Sequence, residues 1–235
     1  MEAAIGYEKE LRSHVERERA AVKLAAHVGE LMYDKGIELV LFRNHLTDIT
    51  ISEILSLHEY ARNVVQRPID AFTTSELAEE ILKMELAPSK LDIGKLASEW
   101  LTEKGQYATK AEFLNIKLAS YKASSSDDLE PRDVVLYGFG RIGRLAAREL
   151  IKQAGKGQQL RLRAIVTRGA SDKDIVKRAA LLRSDSVHGA FKGSVVEDLE
   201  NKTLIINGQI VQRINKPSNI SNVYTIENLP QGFYF

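Results

Sequence analysis

Three glycines in the second half of the chain follow one another with the spacing G-x-G-x-x-G. They are Gly138, Gly140 and Gly143, and the apolar run at residues 134–136 leads directly into them. A side chain at either of the first two glycines would obstruct a tight turn or the close approach of a pyrophosphate, and one at the third would push the next helix off the strand. The free N–H groups and the dipole at the start of that helix favour an anion. This chemistry predicts a loop that holds the phosphates of a dinucleotide.

The residues around the glycines supply the elements that would position this loop. Residues 134–136 indicate a strand, residues 145–151 a helix and residues 160–166 a second strand. A βαβ unit needs this order, and a strand before the motif with a helix after it is the context that supports a cofactor loop. A glycine turn with a purely structural role is the alternative.

Three blocks of sequence resemble the N-terminal part of glyceraldehyde-3-phosphate dehydrogenase. They are residues 138–144 (GFGRIGR), residues 185–193, in which DSVHG precedes FKG, and residues 202–208 (KTLIING). The resemblance covers residues 132–212, and the segment before it is similar to the extension of a long bacterial form of the enzyme. It implies an α/β fold in which a helical N-terminal domain precedes an incomplete Rossmann-type NAD(P)-binding domain.

The same resemblance implies a cofactor and the residues that bind it. The cofactor is a nicotinamide dinucleotide, NAD or NADP. The residues implied to contact it are Gly138, Phe139, Gly140, Arg141, Ile142 and Gly143. Within this set, Arg141 and Ile142 are implied to contribute chiefly through backbone N–H groups, so their side chains need not specify anything.

Arg168 stands where the residue after the second strand would contact the adenosine ribose. NAD-selective sites have an acidic residue there, which accepts hydrogen bonds from the ribose 2′-hydroxyl, and the family usually has Asn-Asp. A guanidinium cannot accept those bonds but can hold a 2′-phosphate, so the substitution favours NADP over NAD. Two alternatives stay open: Asp172 or Asp174 reaches the ribose instead, or Arg168 is a surface residue without this role.

The 235-residue sequence contains no cysteine. The family's reaction uses a cysteine thiolate to attack the aldehyde, a histidine to activate the thiol and a nicotinamide to accept hydride. In the family this nucleophile lies in a Ser-Cys-Thr-Thr-Asn segment beyond the point where this chain stops, so no catalytic residue is assigned. From residue 213 the family pattern is expected to end, through a truncated or frameshifted gene or as a divergent terminal loop. The expected protein is a truncated dehydrogenase that binds its nucleotide weakly.

Apolar residues recur at helical spacing through the first half of the chain. They predict one long helix over residues 8–33, whereas residues 37–42 fit either a strand or a buried helix. Thr50 and Thr73 are each followed three residues later by a glutamate, which is the capping-box spacing of a helix start. Further helices are predicted over residues 92–104 and 109–121.

A serine- and aspartate-rich stretch at residues 124–128 interrupts all periodicity. Such a stretch is typical of a linker between domains. We therefore expect a helical N-terminal extension over residues 1–123, a linker over residues 124–131 and a partial NAD(P)-binding domain over residues 132–235.

Composition and charge exclude several classes of partner. With 33 basic and 32 acidic residues the net charge is +1, which does not favour a nucleic-acid partner. No apolar run is long enough to span a bilayer and the first residues lack a signal pattern, so a cytoplasmic protein without a membrane partner is expected. The histidines of the helical half show no paired spacing, so no metal site is expected. They are His14, His27, His45 and His58.

Two functions agree with these patterns. The first is an oxidoreductase remnant, related to a glycolytic enzyme, that keeps some affinity for a nicotinamide dinucleotide. The second is a non-catalytic interaction or structural module, in which the helical N-terminal domain binds a partner and the nucleotide fold is vestigial. Nucleotide titration separates the two.

Overall fold

The computed structural model describes residues 2–122, 131–154, 160–169, 171–215 and 233–234. The chain divides into two compact units, Met1–Asp128 and Leu129–Phe235. Residues 124–130 of the expected linker and residues 216–232 of the expected divergent tail lie outside the described ranges. In those ranges no helix is long and apolar enough to cross a membrane, and no group of three histidine or acidic side chains could hold a metal ion.

The first unit combines helices with a small sheet. Its helices are α1 (Glu2–Lys35), α2 (Ile51–Val65), α3 (Ala71–Leu82), α4 (Ile93–Glu103) and α5 (Lys110–Lys117), and its strands are β1 (Glu38–Leu41), β2 (Asn44–His45) and β3 (Lys90–Asp92). Short 3₁₀ turns follow α4 and α5, at Lys104–Gln106 and Ala119–Tyr121. The long first helix and the two helices after residue 90 thus lie where the apolar spacing predicts them.

One of the two capping boxes predicted from the sequence is present. The Glu53 N–H donates to the Thr50 hydroxyl at 3.2 Å, and the Thr50 N–H donates to the Glu53 carboxylate at 2.6 Å. The predicted start at Thr73 is wrong, because α3 begins at Ala71 with Asp70 as its cap. The Asp70 carboxylate accepts the Thr73 N–H at 2.7 Å. An aspartate caps a helix at least as well as a threonine, so the upstream residue takes this position.

Residues 37–42, which fit either a strand or a helix, contain the strand β1. It is the central strand in the order β2-β1-β3, antiparallel to β2 and parallel to β3. Three of its four residues are buried, so it lacks the polar and apolar alternation that identifies a half-exposed strand. The core around it includes the fully buried side chains of Leu24, Leu31, Leu39, Ile54, Leu77 and Phe113.

In its described residues the second unit is a mixed sheet with two helices. Its elements are β4 (Arg132–Tyr137), α6 (Arg141–Gln153), β5 (Leu160–Thr167), α7 (Asp172–Arg183), β6 (Ser184–Asp185), β7 (Gly189–Ala190), β8 (Val195–Asp198), β9 (Thr203–Ile206), β10 (Gln209–Asn215) and β11 (Phe233–Tyr234). Six strands have the order β11-β4-β5-β10-β9-β8, while β6 and β7 form a separate pair. The first four strands of that order are parallel to their neighbours, and β10, β9 and β8 are antiparallel.

The predicted βαβ unit is formed by β4, α6 and β5. Because β4 and β5 are parallel, their carboxyl ends lie at the same edge of the sheet. Residues 202–208 lie in a hairpin, with Asn207 and Gly208 at positive φ in the turn between β9 and β10. β10 then pairs with β5 as far as Asn215 opposite Thr167. Regular sheet structure therefore continues past Gln212.

Candidate dinucleotide-binding site

Gly138 turns the chain at the carboxyl end of β4. Its φ of +95° lies in the region that favours glycine. Its N–H donates to the Val166 carbonyl at 2.8 Å, so the turn is tied to the neighbouring strand β5. The local conformation of the loop therefore requires a glycine at this position.

Gly143 and Gly140 differ in what surrounds them. A Cβ atom at Gly143 would lie 2.4 Å from the carbonyl oxygen of Gly138, so only glycine lets α6 pack this closely against the turn. A Cβ atom at Gly140 would meet no atom within 4 Å, and this residue has an ordinary φ of −75°. The fold itself does not require a glycine at this second position. A ligand that approaches the backbone closely would require it.

The start of α6 presents backbone groups rather than side chains. Gly140 occupies the cap position, and no side chain of the described residues caps the helix there. The Arg141 and Ile142 side chains are exposed, that of Ile142 by 77%. Phe139, by contrast, is buried in the core of the second unit, so only its backbone borders the loop. The loop residues named from the sequence are thus brought together, and N–H groups at the helix start are available to an anion.

Arg144, in the first turns of α6, holds the segment between β6 and β7. Its Nη2 donates to the buried carboxylate of Asp185 at 2.5 Å. The N–H groups of Val187 and His188 donate to the same carboxylate at 3.0 and 3.2 Å. The Arg144 guanidinium and these N–H groups hold the pKa of Asp185 well below its usual range. His188 therefore lies in a turn fixed to α6 by hydrogen bonds.

Arg168 is exposed and directly follows the last residue of β5. Both carboxylates offered as alternatives have partners in the protein. Asp172 forms an ion pair with Lys202, and Asp174 forms a capping box with Ser171 at the start of α7. The hydrogen bond from the Ser171 hydroxyl is the main cause that lowers the pKa of Asp174. Arg168 and Asp172 are both exposed at this edge of the sheet, whereas Asp174 is half-buried.

Two further arginines, which the sequence analysis did not select, lie at the same edge. Arg213 of β10 is 7% exposed, and its Nη2 donates to the Thr167 hydroxyl at 2.5 Å and to the Gly169 carbonyl at 2.9 Å. Arg178 of α7 donates to the Phe139 carbonyl at 3.4 Å. The sequence carries a signal for Arg213, because it stands two residues after Val211 and therefore on the same face of β10. Val211 is buried, so this face points inward. No local signal marks Arg178.

The topology and the glycine loop define an α/β dinucleotide-binding unit of the Rossmann type. Residues 132–225 match the family described as "Glyceraldehyde 3-phosphate dehydrogenase, NAD binding domain". This match extends past Gln212, where the resemblance noted from the sequence stops. The second unit thus contains the NAD-binding domain of this family, and a helical unit precedes that domain in the sequence.

Two curated proteins with names from the same enzyme family are similar to this chain. The chain is 37% identical over 207 residues to a glyceraldehyde-3-phosphate dehydrogenase-like protein of Pseudomonas aeruginosa (strain UCBPP-PA14), an alignment that covers 86% of this chain and 45% of the relative. Over 80 residues it is 38% identical to a glyceraldehyde-3-phosphate dehydrogenase of Bacteroides fragilis (strain YCH46), covering 34% and 21% respectively. The chain thus spans less than half of the length of the curated relatives it matches. The longer alignment exceeds the second unit, so it includes part of the helical unit as well.

Proposed function

We propose that the second unit binds a nicotinamide dinucleotide, with the pyrophosphate against residues 138–143 and the first turn of α6. The observation that carries the proposal is the contrast between two glycines. Gly143 is required by the packing of the helix, whereas Gly140 has open space around its Cβ position and so is explained by a ligand. The helix start supports the proposal because its N–H groups and dipole favour a phosphate.

We propose further that NADP binds more tightly than NAD. Arg168 supports this preference because its guanidinium is exposed at the end of β5 and can donate to a 2′-phosphate. The engagement of Asp172 with Lys202 and of Asp174 with Ser171 supports it too, since each carboxylate already has a partner in the protein. Replacing Arg168 with aspartate should shift the preference toward NAD, and equal ratios of affinity before and after the change would contradict this role.

For this chain we propose nucleotide binding without dehydrogenase chemistry. The Bacteroides relative is named a glyceraldehyde-3-phosphate dehydrogenase, and the parent reaction is the NAD(P)-dependent oxidation of that aldehyde through a thiolate. The 235 residues hold no cysteine to supply the thiolate. Binding should be weak, because the glycine loop contacts only the pyrophosphate. None of the described residues is assigned to contact the adenine or the nicotinamide.

The test is a calorimetric titration of the 235-residue protein with NADP and with NAD. We expect binding of both, and loss of binding in the Gly140→Val variant, whose side chain fills the space beside the pyrophosphate. Gly29→Val is the matched control, because Gly29 lies on α1 in the first unit and a Cβ there also meets nothing within 4 Å. No heat of binding with either nucleotide, or equal binding by the wild type and Gly140→Val, would overturn the proposal.

A further inference from the structure

Arg178 and Arg213 lie close enough for their charges to interact, although they belong to different elements. The positive charge of Arg178 contributes to the lowered pKa of Arg213, for which burial is the larger cause. Asp174 lies within the same range, because both guanidinium groups act to lower the pKa of its carboxyl group. One carboxylate therefore faces two guanidinium groups, and the cluster carries excess positive charge.

The guanidinium groups also have hydrogen-bond donors to spare. Nε and Nη1 of Arg213 and Nε of Arg178 are buried and have no acceptor among the described residues. Buried donors without partners and an unbalanced buried charge are both costly in a folded protein. A protein that retains such a cluster gains from it when an anion supplies the missing acceptors and charge.

The position of the cluster indicates which anion. Arg213 donates to Thr167 and Gly169 at the end of β5, and Arg178 donates to Phe139 in the glycine loop. The cluster thus connects the end of the second parallel strand with the loop proposed to hold the pyrophosphate. In this fold the adenosine ribose lies between those two features.

We propose that Arg178 and Arg213, together with the exposed Arg168, form a binding site for the 2′-phosphate of NADP. Arg178 is half-buried and contributes its charge and a guanidinium whose Nε has no acceptor among the described residues. Arg213 lies deeper, adds its charge and fixes the Gly169 turn through its two hydrogen bonds. A phosphate monoester is preferred to a hydroxyl here because it brings acceptor oxygens and negative charge together. This inference rests on the proposed nucleotide binding, and it adds two residues to the one that the sequence suggests.

The experiment compares ligands that differ only in the 2′-phosphate. The full chain is titrated with NADP and NAD, and with adenosine 2′,5′-bisphosphate and adenosine 5′-monophosphate. We expect the ligand with the 2′-phosphate to bind about tenfold more tightly in each pair, and Arg178→Met to remove most of this difference. The lost hydrogen bond to the Phe139 carbonyl affects both nucleotides, so the ratio of NADP to NAD affinity is the quantity compared. Arg178→Lys should restore part of this difference, since the charge returns without the planar donors.

Lys177→Met is the control, because it removes the same charge one residue away on the exposed face of α7. It should leave the ratio of NADP to NAD affinity unchanged. An equal loss of both nucleotides in Arg178→Met, a ratio near one in the wild type, or the same change in ratio for Lys177→Met would overturn the 2′-phosphate site. These outcomes leave nucleotide binding intact as a proposal, whereas absence of binding by every ligand overturns nucleotide binding itself.

Discussion

Gly140 and Gly143 allow the ligand-binding role of a glycine to be separated from its packing role. Gly143→Ala should destabilise the second unit by roughly 1–3 kcal/mol, because its Cβ would overlap the Gly138 carbonyl oxygen and α6 would have to shift. Gly140→Ala should cost less, about 0.5–1 kcal/mol, since its Cβ meets open space and only the poorer cap that alanine makes at the start of α6 is lost. Chemical denaturation followed by circular dichroism measures both effects.

Nucleotide titration completes this comparison. Gly140→Ala should weaken NADP binding with only a small loss of stability, whereas the main effect of Gly143→Ala should be on stability. If Gly140→Ala were the less stable of the two variants, the open space assigned to its Cβ would be wrong.

His58 connects the stability of the first unit to pH. It is buried, with Nδ1 2.8 Å from the Ile54 carbonyl and Nε2 2.8 Å from the Thr74 hydroxyl. Burial lowers its pKa from the ordinary value of 6.5, against the smaller opposing effects of the Ile54 carbonyl and the Asp70 charge. The unfolded chain therefore takes up this proton at higher pH than the folded protein does. The contribution of neutral His58 to the free energy of unfolding should be complete above the unfolded-state pKa near 6.5. It should decrease as the pH drops below that value.

The measurement is the urea midpoint at several pH values. His58→Leu should flatten the dependence between about pH 5 and 7, because no buried imidazole remains to resist protonation. His14→Leu is the control, since the His14 side chain is 52% exposed on α1. An unchanged slope in His58→Leu would show that other groups cause the dependence.

At the scale of elements, the start of α3 makes a prediction that opposes the capping-box pattern. Asp70→Ala should cost about 1 kcal/mol of unfolding free energy, because its carboxylate accepts the Thr73 N–H at the helix start. Thr73→Ala should stay within about 0.5 kcal/mol of the wild type, since that residue lies inside the helix. Thermal denaturation of the two variants ranks them, and the reverse order would return the cap to Thr73.

The elements also show which parts of the fold a sequence can predict. The βαβ unit and the start of α2 were predictable because the glycine spacing and the Thr50 capping box act over a few residues. The strand β1 was ambiguous because its residues are buried without alternation. The cationic cluster as a whole could not be predicted, since Arg178 and Arg213 donate to groups 39 and 46 residues away in the chain, although the place of Arg213 on its strand carries a signal. Such pairings depend on which strands become neighbours, and local patterns do not carry that information.

At the scale of the whole molecule, the two units should respond differently to nucleotide. Trp100 is the chain's one tryptophan and packs edge-on against Phe113 in the first unit, with ring centroids 5.5 Å apart. Its fluorescence therefore reports unfolding of the first unit. Saturating NADP should raise the unfolding temperature of the second unit, seen by calorimetry, by linkage to binding. The tryptophan transition should stay in place, and an equal shift of both transitions would show that the units unfold together.

The 235-residue chain should also show no glyceraldehyde 3-phosphate dehydrogenase activity. No thiol is present to form the thiohemiacetal from which hydride would leave. A serine is a poor substitute, because its hydroxyl stays protonated at neutral pH unless a dedicated base activates it. Loss of covalent catalysis removes many powers of ten in rate, so turnover should not exceed the reagent blank.

The assay supplies the purified protein with glyceraldehyde 3-phosphate, phosphate and either nucleotide, and follows the absorbance of the reduced nicotinamide. A host dehydrogenase that co-purifies is the main source of false activity, and Gly140→Val prepared in parallel controls for it. Activity equal in both preparations belongs to the host enzyme, because only this chain's loop is altered. Activity that elutes with the wild-type chain and disappears in Gly140→Val would show that this chain catalyses the reaction without a thiolate.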